Sequence, residues 1–277
     1  RNVACTGAVP LGITDNLNFG NPQKPEVYHQ FKEACRGIGD ACRAFETPVT
    51  GGNVSFYNES PTGAVYPTPT VGMVGLLERV DRRVPSFFST EGDVILVLGR
   101  TTGVLGGSAY WAELRDFVGG QPDRVDLEAE RRLQQFLVAC ARQGLLRSAH
   151  DCSDGGLAVT LAESAMGGPY AAGAVGADLD LTGYADGVDA VGLLYGEDAG
   201  RVVVSADPSF ADVVLALASR HGVPAFVAGR VGAPGGALTV RRGDERWSWP
   251  TPALRRTYFD AIPRRMAAVA TDRDEGA

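Results

Sequence analysis

Apolar residues recur at intervals of three and four from Pro25 to Phe45, at Val27, Phe31, Ala34, Ile38, Ala41, Cys42 and Phe45. Such spacing lines one side of a helix, and Pro25 suits its first turn. Residues 127–145 repeat the pattern: Leu133, Phe136, Leu137, Cys140 and Ala141 form the inner face and Gly144 ends the helix. Shorter helices are predicted at 109–114, 157–166, 210–221 and 251–262, the third with Val213, Leu215 and Leu217 turned inward. Short apolar runs at 71–80, 93–98, 175–181, 202–205, 225–231 and 238–241 read as strands, the last two paired across Pro234-Gly235-Gly236. Residues 79–89 are charged, carry proline and have no period, which places a domain boundary there.

Three polar stretches interrupt this pattern. In Thr47-Pro48-Val49-Thr50-Gly51-Gly52-Asn53-Val54-Ser55-Phe56-Tyr57-Asn58 the flanking apolar residues suggest a strand that enters a tight turn and leaves as a second strand. Gly51 and Gly52 let the backbone approach a bulky anion, with amides directed at phosphate oxygens. Asn53 offers an amide oxygen suited to Mg²⁺, and Ser55 points to the same side of a strand. A glycine bulge within a sheet is the competing reading. Upstream, the run at 8–13 leads into Thr14-Asp15-Asn16-Leu17-Asn18-Phe19-Gly20-Asn21-Pro22, which is either turn chemistry or a polar shelf meeting a ligand. Asp15 stands where a strand would end, and the strand–helix–strand layout could bring it to the same edge as Asn53. The third stretch, Ser148 to Leu157, precedes a helix for which Ser153 or Asp154 is a natural N-cap; its glycines would let a ligand approach the helix N-terminus. His150 and Asp151 are adjacent, so their side chains diverge and form no catalytic dyad. His29 and His221 read as surface residues.

Composition narrows the partners. The 277 residues allow one large domain or two ordinary ones. A net charge of −7 with no basic block argues against nucleic acid. Any phosphate must then be held by backbone amides and metal rather than by Lys and Arg clusters. No run reaches the roughly 18 apolar residues of a membrane span, and no signal peptide is evident. Cys5, Cys35, Cys42, Cys140 and Cys152 are odd in number and form no C-x-x-C pair, which fits reduced thiols in the cytoplasm. The chain opens in mid-pattern at Arg1, which suggests a piece of something longer.

Taken in order, Thr14 to Pro22, Pro48 to Ser55, Pro67-Thr68-Pro69, His150 to Leu157 and Gly196-Glu197 resemble the C-terminal half of the synthetase subunit of phosphoribosylformylglycinamidine synthase (PurL), small multi-subunit type. The resemblance runs from Arg1 to about Val240. It implies an α+β fold, a PurM-like repeat in which a partial, strand-rich A domain (1–82) is followed by a complete α/β B domain (83–265) and a loose tail (266–277). It implies ATP-dependent conversion of formylglycinamide ribonucleotide and glutamine-derived ammonia to the amidine in purine biosynthesis. Asp15 and Gly52 match ATP-contacting positions, Asn53 a Mg²⁺ ligand and Ser55 a substrate contact; Asp151 and Ser153 match the border of an auxiliary nucleotide site. Implied partners are a glutamine amidotransferase subunit, a small accessory subunit and an N-terminal half bearing the catalytic groups. Aminoimidazole ribonucleotide synthetase and selenophosphate synthetase share the A–B pair but lack the Thr14–Pro22 motif in this form. A non-catalytic nucleotide-binding half-repeat is the third reading.

Overall fold

The computed structural model describes residues 1–169, 171 and 173–274, with side chains through Ala267. A short helix α1 (Asn2–Cys5) leads into β1 (Val9–Asn18), the long helix α2 (Pro25–Phe45) and β2 (Val49–Ser55). A small hairpin, β3 (Glu59–Ser60) and β4 (Gly63–Ala64), precedes β5 (Thr68–Leu76). These strands form a three-stranded sheet in the order β2-β1-β5, with β1 parallel to β2 and antiparallel to β5. Helix α2 is the crossover that makes a parallel β1–β2 pair possible. Its apolar face, Val27 with Phe31, Ala34 and Ile38, closes over Leu17, Phe19 and Phe56. The opposite face of the sheet has no cover among the described residues. It is polar at the Asn18 end and apolar at the other, where Val74 and Leu76 are 65% and 54% exposed.

The second unit holds β6 (Val94–Leu98), α3 (Ala109–Arg115), α4 (Leu127–Gln143), β7 (Ser148–Asp151), α5 (Gly156–Met166), β8 (Val175–Asp180), α6 (Ala190–Tyr195), β9 (Val202–Ala206) and α7 (Ala211–Arg220). It continues with β10 (Ala225–Pro234), β11 (Ala237–Arg242), β12 (Glu245–Pro250), α8 (Thr251–Phe259) and α9 (Ala261–Asp274). Seven strands form one mixed sheet in the order β12-β11-β8-β10-β6-β9-β7. Strand β6, between β10 and β9, is an unbroken apolar run because both of its faces are buried. Val94, Leu96 and Leu98 pack with α4 and α7, whereas Ile95 and Val97 pack with α5 and α6. The two units meet where Ala4 and Cys5 of α1 enter the α4 side of that core. Around this contact, Arg1 pairs with Glu130 and Asn2 Nδ2 donates to Asp151 Oδ1 at 3.0 Å.

Several expectations are corrected. The stretch through Gly51 and Gly52 is no turn: β2 is one continuous strand, and neither glycine has positive φ. Likewise Thr14 to Asn18 is strand, because β2 and β5 pair with it on both sides and supply the backbone partners that a turn would have provided locally. Strands β10 and β11 do not pair with each other; β8 lies between them, antiparallel to the first and parallel to the second. Strand β12 and helix α6 carry no clear sequence signal, being short and, in β12, opening on the adjacent charges Glu245 and Arg246 ahead of Trp247 and Trp249. In α7 the buried residues are Val214, Leu217 and Ala218, while Val213 is exposed, because positions 214, 217 and 218 share one helical face at i, i+3 and i+4, whereas 213, 215 and 217 do not. Residues expected in a loose tail are helical as far as Asp274; 275–277 lie outside the described residues.

Candidate functional site

Strand register assembles a polar ledge on the open face of the small sheet. Asn16 lies beside Asn53 on one side and Thr70 on the other; Asn18 lies beside Ser55 and Thr68. Register partners share a face, and residues two apart on one strand return to it. The ledge is therefore a grid of six uncharged carboxamide and hydroxyl side chains. Asn18 Nδ2 donates to Asn16 Oδ1 at 3.1 Å within it. Asn53 is exposed, and its carboxamide makes no hydrogen bond among the described residues. Ser55 is held from the loop beyond: Asn58 Nδ2 reaches Ser55 Oγ at 3.2 Å, Ser55 O at 2.9 Å and Phe19 O at 3.0 Å. Asn16, Asn18, Thr68, Thr70 and Asn58 were not singled out from the sequence. The period-two alternation of 16-17-18 and 68-69-70 is the signal that marks four of them.

Asp15 and Gly52 are register partners, one position before Asn16 and Asn53. They lie on the α2 side of the sheet with Leu17, so the sheet separates Asp15 from Asn53 rather than joining them on one face. A Cβ at Gly52 would stand 2.2 Å from Asp15 Oδ1 and 2.6 Å from Asp15 O. Glycine here makes room for a carboxylate. Strand β2 is an edge of its sheet, so the backbone groups on its outer side have no strand partner. Asp15, Gly52 and Asn53 thus surround an open strand edge, with a carboxylate on one face and a carboxamide on the other. Gly52→Ala is expected to lose about 1–3 kcal/mol by overpacking and to displace Asp15. Gly51→Ala should be close to neutral, because nothing lies within 4 Å of a Cβ there. Denaturant melts of the two variants test this; equal stability of the pair would remove the Asp15 seat.

The segment from Ser148 to Leu157 is built differently. Asp151 is buried and accepts from Asn2 Nδ2 and, at 3.2 Å, from Ser153 Oγ; Arg1 Nε lies 3.6 Å away. Ser153 and Asp154 do not cap α5. Its N-cap is Gly155 in the left-handed region. The helix N-terminus expected to be open to a ligand is met from inside the chain: Glu197 Oε1 accepts from Gly155 N and from Ala109 N of α3, each at 2.8 Å. Gly156 (φ 63°) is required by packing, since a Cβ would stand 2.4 Å from Gly196 O. His150 Nε2 lies 3.1 Å from Glu163 Oε2. Burial opposes protonation of this imidazole, but the Glu163 hydrogen bond and charge, helped by Asp151, prevail and raise its pKa.

Comparison with known proteins agrees with this architecture. Residues 1–77 match the AIR synthase related protein, N-terminal domain, and residues 90–241 match the AIR synthase related protein, C-terminal domain. The phosphoribosylformylglycinamidine synthase subunit PurL of Moorella thermoacetica is 45% identical over 268 residues, 96% of this chain and 35% of the relative. The Thermobifida fusca subunit of the same name is 47% identical over 264 residues, 95% of this chain and 33% of the relative. The chain thus spans about a third of the length of these curated relatives. Among solved structures, T. maritima PurL complexed with FGAR superposes with a TM-score of 0.72 at 22% identity, over 92% of this chain and 41% of that one. That likeness shows the fold. With both domains matched in order, the chain belongs to the AIR synthase related protein family.

Proposed function

We propose that this chain supplies one wall of the ATP and substrate site of a formylglycinamide ribonucleotide amidotransferase, as the C-terminal part of a PurL-type synthetase subunit. The observation that carries the reading is the ledge of uncharged hydrogen-bonding side chains beside the Asp15–Gly52 edge. In the reaction the substrate's amide oxygen attacks the γ-phosphorus of ATP and ADP leaves. Ammonia then adds to the activated carbon, and inorganic phosphate departs with the former amide oxygen, giving the amidine. Asp15 and Gly52 contact ATP, Asn53 contributes one ligand to Mg²⁺ and Ser55 contacts the ribonucleotide.

The donor set fits Mg²⁺ in a limited way. Asn53 presents a free amide oxygen, and among the described residues no group of three or more His, Cys, Asp or Glu side chains could hold a metal ion. A hard cation that keeps waters and takes most ligands from nucleotide phosphates suits a single neutral protein oxygen. When bound, Mg²⁺ would neutralise charge on the phosphoryl group. The catalytic groups come from the rest of the subunit, and ammonia from a glutamine amidotransferase subunit working with a small accessory subunit, in the cytoplasm. Asp151 and Ser153, candidates for an auxiliary nucleotide site, bond to each other and have no part in the reaction proposed here.

Two assays test the reading. The 277-residue chain alone should release no phosphate from ATP with ribonucleotide and ammonia present. In the full-length subunit, Ser55→Ala should raise KM for the ribonucleotide about tenfold or more while KM for ATP stays within about twofold, as expected for loss of one hydrogen bond to a substrate. Turnover by the isolated chain at the full-length rate would overturn the division of the site between the two halves.

A further inference from the structure

Among the described residues, four that are not glycine have positive φ: Glu46, Tyr57, Asp116 and Ala185. Glu46 and Asp116 are C-caps of α2 and α3, where a left-handed residue is the ordinary way to end a helix. Ala185 is small. Tyr57, at φ 61°, is a bulky aromatic residue at no helix end. Left-handed backbone brings Cβ against the carbonyl oxygen, and glycine or asparagine accepts it more readily than a large side chain does.

The chain holds Tyr57 in that state from both sides. Tyr57 N donates to Gly20 O at 3.0 Å, Asn58 N to Phe19 O at 3.1 Å and Glu59 N to Tyr57 O at 2.9 Å. The three bonds of Asn58 Nδ2 to Phe19 and Ser55 lock the next residue. Tyr57 is 60% exposed, and among the described residues its ring packs on no other ring and its hydroxyl makes no hydrogen bond. A costly backbone state that displays an unused aromatic ring, two residues beyond Ser55, points outward to a ligand.

Resting on the reading of Ser55 as a ribonucleotide contact, we propose that Tyr57 is a specificity-determining residue for that substrate. Its ring packs on the uncharged part of the molecule, the sugar and the planar amide arm, whose polar groups reach Ser55 and the ledge. The chemistry of the surroundings selects this part over the phosphate. The six ledge side chains are uncharged, and an aromatic face with a hydroxyl at its tip suits C–H surfaces bordered by hydrogen-bonding groups.

The test uses the full-length subunit, with melting of the 277-residue chain as a second readout. Tyr57→Gly should raise KM for the ribonucleotide about tenfold, leave KM for ATP within about twofold, and leave the melting temperature unchanged or higher, because glycine relieves the strain. Tyr57→Phe should keep KM for the ribonucleotide within about threefold, since it retains the packing face. An unchanged ribonucleotide KM in Tyr57→Gly would overturn the proposal, and so would a lowered melting temperature with KM unchanged, which would make Tyr57 structural. If Ser55→Ala leaves the ribonucleotide KM unaltered, the role of Ser55 falls by itself, and the Tyr57→Gly measurement still decides this inference.

Discussion

Asp198→Ala should cost the chain about 3–5 kcal/mol, the range for breaking a buried ion pair from one side. Asp198 is 2% exposed and Arg201 is fully buried. Their charged groups approach to 3.6 Å, yet the pair is only part of a larger knot. Asp198 Oδ1 accepts from Thr102 N at 3.0 Å, from Thr102 Oγ1 and from Val104 N at 3.3 Å, and Oδ2 accepts from Gly103 N at 3.2 Å. Arg201 donates to Gly196 O, to Asp198 O at 3.4 Å and to Thr101 Oγ1 at 3.1 Å, and Thr101 Oγ1 lies 2.9 Å from the Tyr184 hydroxyl. Removing the carboxylate leaves a guanidinium buried without its counter-charge and strips the 102–104 backbone of its acceptor. Arg201→Met should cost less, because Asp198 keeps its amide donors and the volume is roughly preserved. In the double variant part of the loss should return, since no uncompensated charge remains. Denaturant melts of the three proteins complete the cycle. A loss below about 1 kcal/mol for Asp198→Ala, the size of an ordinary surface effect, would show that the knot is not what holds the 196–201 turn.

That knot shows why parts of the molecule were legible in the sequence and others were not. Long helices announce themselves: the inner-face residues named for 25–45 and 127–145 line α2 and α4, because a 3.6-residue period persists over several turns. The apolar run of β6 reads equally well, since a strand buried on both faces needs no alternation. Pairing between strands is invisible in this way. Pro234-Gly235-Gly236 looks like a hairpin turn, yet β8, from some fifty residues earlier in the chain, occupies the place between the two strands. The site behaves likewise. Asp15, Gly52, Asn53 and Ser55 stood out as residue types, but which face each occupies depends on register. The register puts Asp15 over Gly52 and turns Asn53 away from both. Glu197 could be recognised as part of a motif, whereas its work as an internal anion serving two helix starts, α3 and α5, requires the fold.

The same register makes Asn53 a clean test of the proposed chemistry. Its side chain is exposed and bonds to nothing among the described residues, so its replacement should leave folding nearly untouched, within about 0.5 kcal/mol. Leucine suits a strand at least as well as asparagine does. Yet Asn53→Leu in the full-length subunit removes an oxygen proposed to ligate Mg²⁺ beside the transferring phosphoryl group. By analogy with a lost oxyanion donor, the transition state should lose about 3 kcal/mol, or roughly a hundredfold in kcat. Asn53→Asp keeps the oxygen and adds a negative charge close to the nucleotide phosphates. It should therefore fall between the two, with part of its kcat restored as Mg²⁺ is raised, while Asn53→Leu gains nothing from added metal. Melting temperature and Mg²⁺-dependent kcat are measured on the same preparations. A variant that loses melting temperature and kcat in parallel would make Asn53 a structural residue after all. A folded Asn53→Leu subunit with normal kcat would take Asn53 out of the metal site and leave the ledge to bind substrate alone.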